Sequence, residues 1–241
     1  MNGINTIFRR EFGAYFNSPI AYIFIIAFLM LNSVLYMTSF FVSNMADLRM
    51  FFGTLPLTLI LFVPAISMRI WAEDKRLGTF ELLMTLPVST RNVMLGKYLA
   101  AYAFYLVALA GTLPLPLMVM ALGNPDVGTM VSGYFGAALV GGLFLAIGTF
   151  TSGLVRDQIS AVILGVVVCA MVFIAGLDFV AAMGDGWVHG LGSFIQKYIG
   201  LSAHYNMMQR GVITLGDLAY FLGLSSLFLT LNAYWLEGRK Y

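Results

Sequence analysis

Six stretches of this chain hold no Asp, Glu, Lys, Arg or His over a length that could cross a bilayer. They are Phe12–Ala46, Met50–Met68, Tyr98–Pro125, Val127–Val155, Gln158–Leu177 and Leu218–Leu236. A spanning helix needs about 20 mostly apolar residues. Soluble domains carry roughly 25% charged residues, whereas this chain has 10% charged and 60% hydrophobic residues. A soluble fold would leave too much apolar surface in water, and disorder requires the opposite composition. The expected fold is an all-α membrane protein with one transmembrane domain over residues 1–241. Its spans are placed at about 19–43, 51–70, 92–122, 129–154, 158–180 and 216–236.

The first uncharged stretch is too long for one span. Pro19 follows Asn17-Ser18 and suits the first turn of a new helix. The residues before it therefore form a separate helix, about 3–16. There Ile4, Ile7, Phe8, Phe12, Tyr15 and Phe16 recur at three- and four-residue steps around Arg9, Arg10 and Glu11. Such a helix lies in the headgroup plane; Phe8 and Phe12 would face lipid, and Arg9 and Arg10 the headgroups. The segment has no cleavable-leader pattern and is expected to remain as an anchor.

Cation placement orients the spans. Arg9, Arg10, Arg69, Lys75, Arg76, Arg91, Lys97, Arg156, Arg239 and Lys240 fall on one side, and Arg49, Lys197 and Arg210 on the other. Ten against three places both termini in the cytoplasm. A net charge of +2 gives no field for nucleic acid. The single cysteine, Cys169, excludes an internal disulfide and a cysteine-based metal site, and it reads as a buried small hydrophobe.

Two connections are long: the cytoplasmic loop at 71–91 and the external loop at 181–215. In the first, charge clusters at Glu73, Asp74, Lys75 and Arg76, Gly78 breaks the chain, Thr79 can cap a helix, and Glu81 favours its first turn. Phe80, Leu82, Leu83, Met84 and Leu86 make the following two turns apolar, and Pro87 stops them. Such a short helix either lies on lipid or docks into a groove on another protein; the residues alone leave both open. The external loop holds His189 and His204, too few convergent ligands for a metal site. Thr214 and Asp217 form a capping-box pattern at the start of the last span.

The stretch from Glu73 to Lys97 resembles the loop between the second and third spans of ABC-2 type transporter permeases. Glu73, Gly78, Thr79, Glu81, Leu83 and Pro87 occupy the positions of that family's E-x-x-x-G-T-x-E-x-L-x-x-x-P-like segment. The N-terminal FRREFGAYFNSPIAYIF and the segment from Ala203 to Leu222 are similar to the gliding-motility-associated branch of the family. The resemblance implies an ABC-2, type V exporter-like permease fold in a bacterial inner membrane. It implies a coupling helix, with Phe80 on its docking face, that contacts a cytoplasmic ATPase. It implies two such ATPase subunits holding ATP and magnesium, a second permease copy or homologous permease, and in this branch a membrane-anchored accessory subunit.

The chain itself has no G-x-x-x-x-G-K-[ST] sequence, so no cofactor and no catalytic residue are expected in it. The expected function is the permease subunit of an ATP-driven transporter, performing export or envelope-related conformational work. The competing readings are an accessory or scaffold membrane subunit, and an intramembrane enzyme. The enzyme would need a nucleophile and base, or metal ligands, within the spans, where histidine does not occur.

Overall fold

A computed structural model describes residues 3–43, 47–80, 89–187 and 189–238. Helix α1 (Gly3–Phe16) is followed at Pro19 by α2 (Pro19–Ser43), with the break where the proline sets it. The next helices are α3 (Arg49–Ser67), the short α4 (Ala72–Arg76), α5 (Thr90–Ala110), α6 (Pro114–Leu122), α7 (Val127–Leu154) and α8 (Gln158–Ile174). Then come α9 (Asp178–Trp187), α10 (Leu191–Tyr198), α11 (Leu201–Gln209) and α12 (Leu215–Glu237). The molecule is a multi-pass membrane protein; its described residues are all-helical, with five helices among them able to cross a bilayer, or six if one bent pair counts as a span.

Short polar residues set the helix starts. Ser89, Asp126 and Asp157 each accept a backbone N–H in the first turn of α5, α7 and α8. Thr214 and Asp217 form the reciprocal capping box expected at the start of α12. Pro56 and Pro64 lie within α3 without ending it. Pro114 and Pro116 divide α5 from α6, although the two together make one apolar candidate span. The span expected over about 158–180 is less regular. Helix α8 has 17 residues, and the chain then bends by 77° into α9. Over the loop expected at 181–215, the rest of α9 is joined by α10 and α11.

Helix α7 is the hub. It packs against α3, α5, α8, α11 and α12 and is buried along most of its length. Tyr98, Tyr102 and Tyr105 of α5 donate hydrogen bonds to the carbonyls of Gly142, Ala138 and Ala137 of α7, at 3.1, 3.3 and 2.8 Å. The reversed order of donors and acceptors shows the two helices to be antiparallel. A Cβ on Gly141 would overlap the Tyr105 ring, so glycine here permits the close approach. Cys169 of α8 is fully buried, its thiol directed at the Phe144 carbonyl, as its apolar context suggested.

Candidate functional site

At one end of the bundle the chain leaves α3, forms α4 and re-enters through α5. The start of this connection is held by its neighbours. Trp71 precedes α4 and offers no capping side chain, which leaves the first N–H groups of α4 without a local acceptor. Ser152, near the end of α7, supplies one. Its Oγ accepts from the Trp71 and Ala72 amides at 3.2 and 3.1 Å and donates to the Met68 carbonyl at 3.1 Å.

The exchange is mutual. The last carbonyls of α7 also lack helical partners, and Lys75 of α4 donates to those of Gly153 and Val155. A cation at a helix C-terminus is favoured by the helix dipole. Each helix therefore caps the other, across some eighty residues of sequence.

Charge fixes the other sides of α4. Arg69 pairs with Glu73 through two N–H donors, at 2.8 and 3.3 Å, and reaches Ser18 at the α1–α2 corner at 3.2 Å. Lys97 of α5 is only 4% exposed. Its ammonium lies 2.8 Å from Asp74 of α4, 3.3 Å from Glu11 of α1, and 5.6 Å from the Trp71 ring centre. One cation thus binds three elements. A buried charge of this kind persists only when paired. Burial alone would push the Glu11 carboxyl up, but Lys97 and Arg10 outweigh it and hold it below the usual range. The Tyr15 hydroxyl, buried near Glu11, is pushed up.

Packing complements charge. A Cβ on Gly96 would sit 2.8 Å from Ile7 Cγ2, so α1 lies directly on α5. Tyr15 stacks on Phe104 at 4.9 Å, and Phe16 meets the same ring edge-on. A cavity of about 50 Å³ remains between α1 and the α3–α4 turn, lined by Glu11, Tyr15, Arg69, Glu73 and Lys97 among others. Trp71 Nε1 and both polar side-chain atoms of Asn232 are buried without a hydrogen-bond partner among the described residues. They flank Gly153, whose Cβ would fall 2.5 Å from Asn232 Oδ1 and 3.8 Å from Trp71 Cδ1.

The residues singled out from sequence separate into three groups. Glu73 holds Arg69. Gly78 has a φ of +70°, the left-handed conformation that ends α4, and the Thr79 hydroxyl turns back to Asp74. Phe80 meets Trp71 edge-on at 6.0 Å, with Lys75 over its ring. Glu81, Leu83 and Pro87 lie outside the described residues. Phe8 and Phe12 stack at 5.6 Å, Arg9 is exposed, and Arg10 pairs with Glu11. Sequence reasoning missed Glu11, Asp74, Lys97 and Ser152 as members of one site. Lys97 could have been found, because it lies inside the apolar run expected to span at 92–122 and a charge there needs partners. Ser152 gave no such signal.

At the opposite end, His204 lies between Asp217 and the Lys197 carbonyl at 2.7 and 3.0 Å and stacks on Tyr220. The histidine therefore joins α10, α11 and α12 in a structural role.

A family model described as an ABC-2 family transporter protein matches residues 48–234. No curated protein matches the chain.

Proposed function

We propose that this chain, which belongs to the ABC-2 transporter family and is therefore a membrane component of a transporter, is the permease subunit that converts ATP hydrolysis by a partner into export or envelope-related conformational work. The observation that supports coupling most is the mutual capping of α4 and α7, reinforced by Lys97. A segment that must transmit force has to be rigidly joined to the spans, and here it is joined to the most buried one. A push on α4 would move α7 through hydrogen bonds at both helix ends, and α1 and α5 through Lys97.

In this reading the segment from Glu73 to Pro87 docks on a cytoplasmic ATPase. Phe80, Glu81 and Leu83 provide contact, and Gly78 and Pro87 set its limits. Two ATPase subunits would hold ATP and its magnesium ion and perform the hydrolysis. A second copy of this chain, or a homologous permease, would complete a two-fold unit in a bacterial inner membrane, with a membrane-anchored accessory subunit beside it. Both termini would be cytoplasmic. Helix α1 would lie in the headgroup plane, Arg9 toward the headgroups and Phe8 and Phe12 toward lipid. The gliding-motility-associated branch is the proposed lineage.

The test is co-expression with a candidate partner ATPase, which this reading expects to be encoded beside the gene for this chain. The ATPase is expected to copurify, and its activity to fall several-fold on Phe80→Ala or Glu81→Lys. An ATPase that fails to copurify, or is indifferent to both changes, would refute the coupling role. A reporter fused after Tyr241 is expected to read cytoplasmic; a signal from the other side would overturn the orientation.

A further inference from the structure

A groove of about 420 Å³ runs along α12 at the end of the bundle opposite α4. Its α12 wall extends from Gly216 to Leu227. At 1.5 Å per residue that is about 16 Å, the depth of one leaflet of a hydrocarbon core about 30 Å thick. The wall is apolar, and at Gly223 it is open: a Cβ there would meet no atom within 4 Å. Lys197 and Tyr198, the last residues of α10, stand at the end of the groove nearest the start of α12.

The acids of the surrounding helices are engaged by other partners: Asp178 accepts from Gln196, Asp185 from Ser193, and both oxygens of Asp217 are occupied. Oδ1 faces His204 Nδ1, and Oδ2 accepts from the Thr214 hydroxyl and amide. The other nitrogen of His204 donates to the Lys197 backbone carbonyl, which fixes the position of Lys197 relative to α12. The Lys197 side chain is exposed and forms no ion pair among the described residues; its ammonium lies 5.7 Å from the Tyr198 ring centre. An apolar slot one leaflet deep, with an unpaired cation and an aromatic ring at its end, has the chemistry of a site for a lipid with a negative headgroup.

We propose that this groove binds one anionic phospholipid from the leaflet at the α9–α11 end, its acyl chain along α12 and its phosphate against Lys197. The site is separate from the α4 junction and does not depend on which aqueous side either end faces. Lipid held here bears on α10, α11 and α12 together, so its occupancy would stiffen the segment that joins the bent α8–α9 pair to the last span.

The full chain in detergent is titrated with phosphatidylglycerol or phosphatidylcholine of identical acyl chains, and bound lipid is counted by native mass spectrometry. One headgroup charge near a lysine corresponds to a preference of about fivefold for phosphatidylglycerol. Lys197→Gln should abolish that preference while leaving phosphatidylcholine binding unchanged. Gly223→Leu fills the groove and should reduce retention of both lipids. Lys197 is exposed and its backbone contact survives substitution, so that variant keeps the test valid even if the glycine change disturbs folding. Equal retention of the two lipids by the unmodified chain, or a preference that survives Lys197→Gln, overturns the proposal. So does full lipid retention by a folded Gly223→Leu chain.

Discussion

Replacing Lys97 by methionine keeps the length and apolar stem of the side chain and removes only its charge. In the native site the ammonium lies 2.8 Å from Asp74 and 3.3 Å from Glu11. At an effective dielectric of about 20, these separations correspond to gross attractions of about 6 and 5 kcal/mol. Most of this is offset by desolvating the lysine, which costs several kcal/mol. The two carboxylates are about one-fifth exposed, so after substitution they regain part of their hydration. The net loss should then be about 2–4 kcal/mol, at or below the usual cost of leaving a buried ion unpaired. For a chain of this length that corresponds to a fall in Tm of about 4–16 °C. The molecule supplies its own probe, because Cys169 is the only cysteine and is fully buried. A thiol-reactive dye added to the full chain in detergent will report opening of the α7–α8 packing as temperature rises. The pairing is isolated by a double-mutant cycle with Asp74→Asn. The double variant should be more stable than the sum of the single losses by about 1 kcal/mol or more. A Tm within about 1 °C of wild type for Lys97→Met, or strict additivity in the cycle, would refute the view that this lysine joins three elements.

Ser152→Ala removes the acceptor of two buried amides at the start of α4 and should cost about 2–4 kcal/mol. The same dye assay checks this, and an unchanged Tm would show that α4 does not rely on α7 for its cap. Glu11 is held below its ordinary value of 4.5, so its stabilising contribution is present above that pH and is lost as pH falls through the lower, folded-state value. The stability gap between wild type and Glu11→Gln, measured at neutral pH, should therefore close in the acid range below 4.5. Asn232→Leu replaces two orphaned buried polar atoms with methyl groups on the same branched frame; the gain of about 1–3 kcal/mol from removing them should exceed the packing cost of the larger side chain, so stability should rise. If the amide is kept for a partner it meets in another conformation, the ATPase rate of the assembled transporter will fall as stability rises.

How much could be read in advance depended on how local each signal is. The break before Pro19, the capping box at Thr214 and Asp217, and the burial of Cys169 depend on adjacent residues or on the composition of one run. The family was legible for a similar reason, since the resemblance rests largely on residues within one short segment. The bend between α8 and α9 was not legible, because hydropathy records only that Gln158–Leu177 is apolar and not where its axis turns. Lys97 was counted as a topological cation, which hid the more informative fact that it sits two turns inside α5. Ser152 could not have been found, because serine within an apolar helix is ordinary and its partners lie on the far side of two intervening elements.

The link between α4 and α7 also bears on what kind of joint this is. An apolar contact can slide, since many nearby arrangements bury similar area. Mutual capping cannot, because each N–H and C=O has one well-placed partner and a buried polar group left alone costs about 1–3 kcal/mol. The joint should therefore move as a block or switch between discrete arrangements. The orphaned atoms of Trp71 and Asn232 lie on the side of this block facing α12, where polar capacity is left unspent. A second arrangement that brought indole and amide together would recover that capacity without breaking the caps. Glycine at 153 is what lets indole and amide face one another here, since a Cβ would fall 2.5 Å from Asn232 Oδ1.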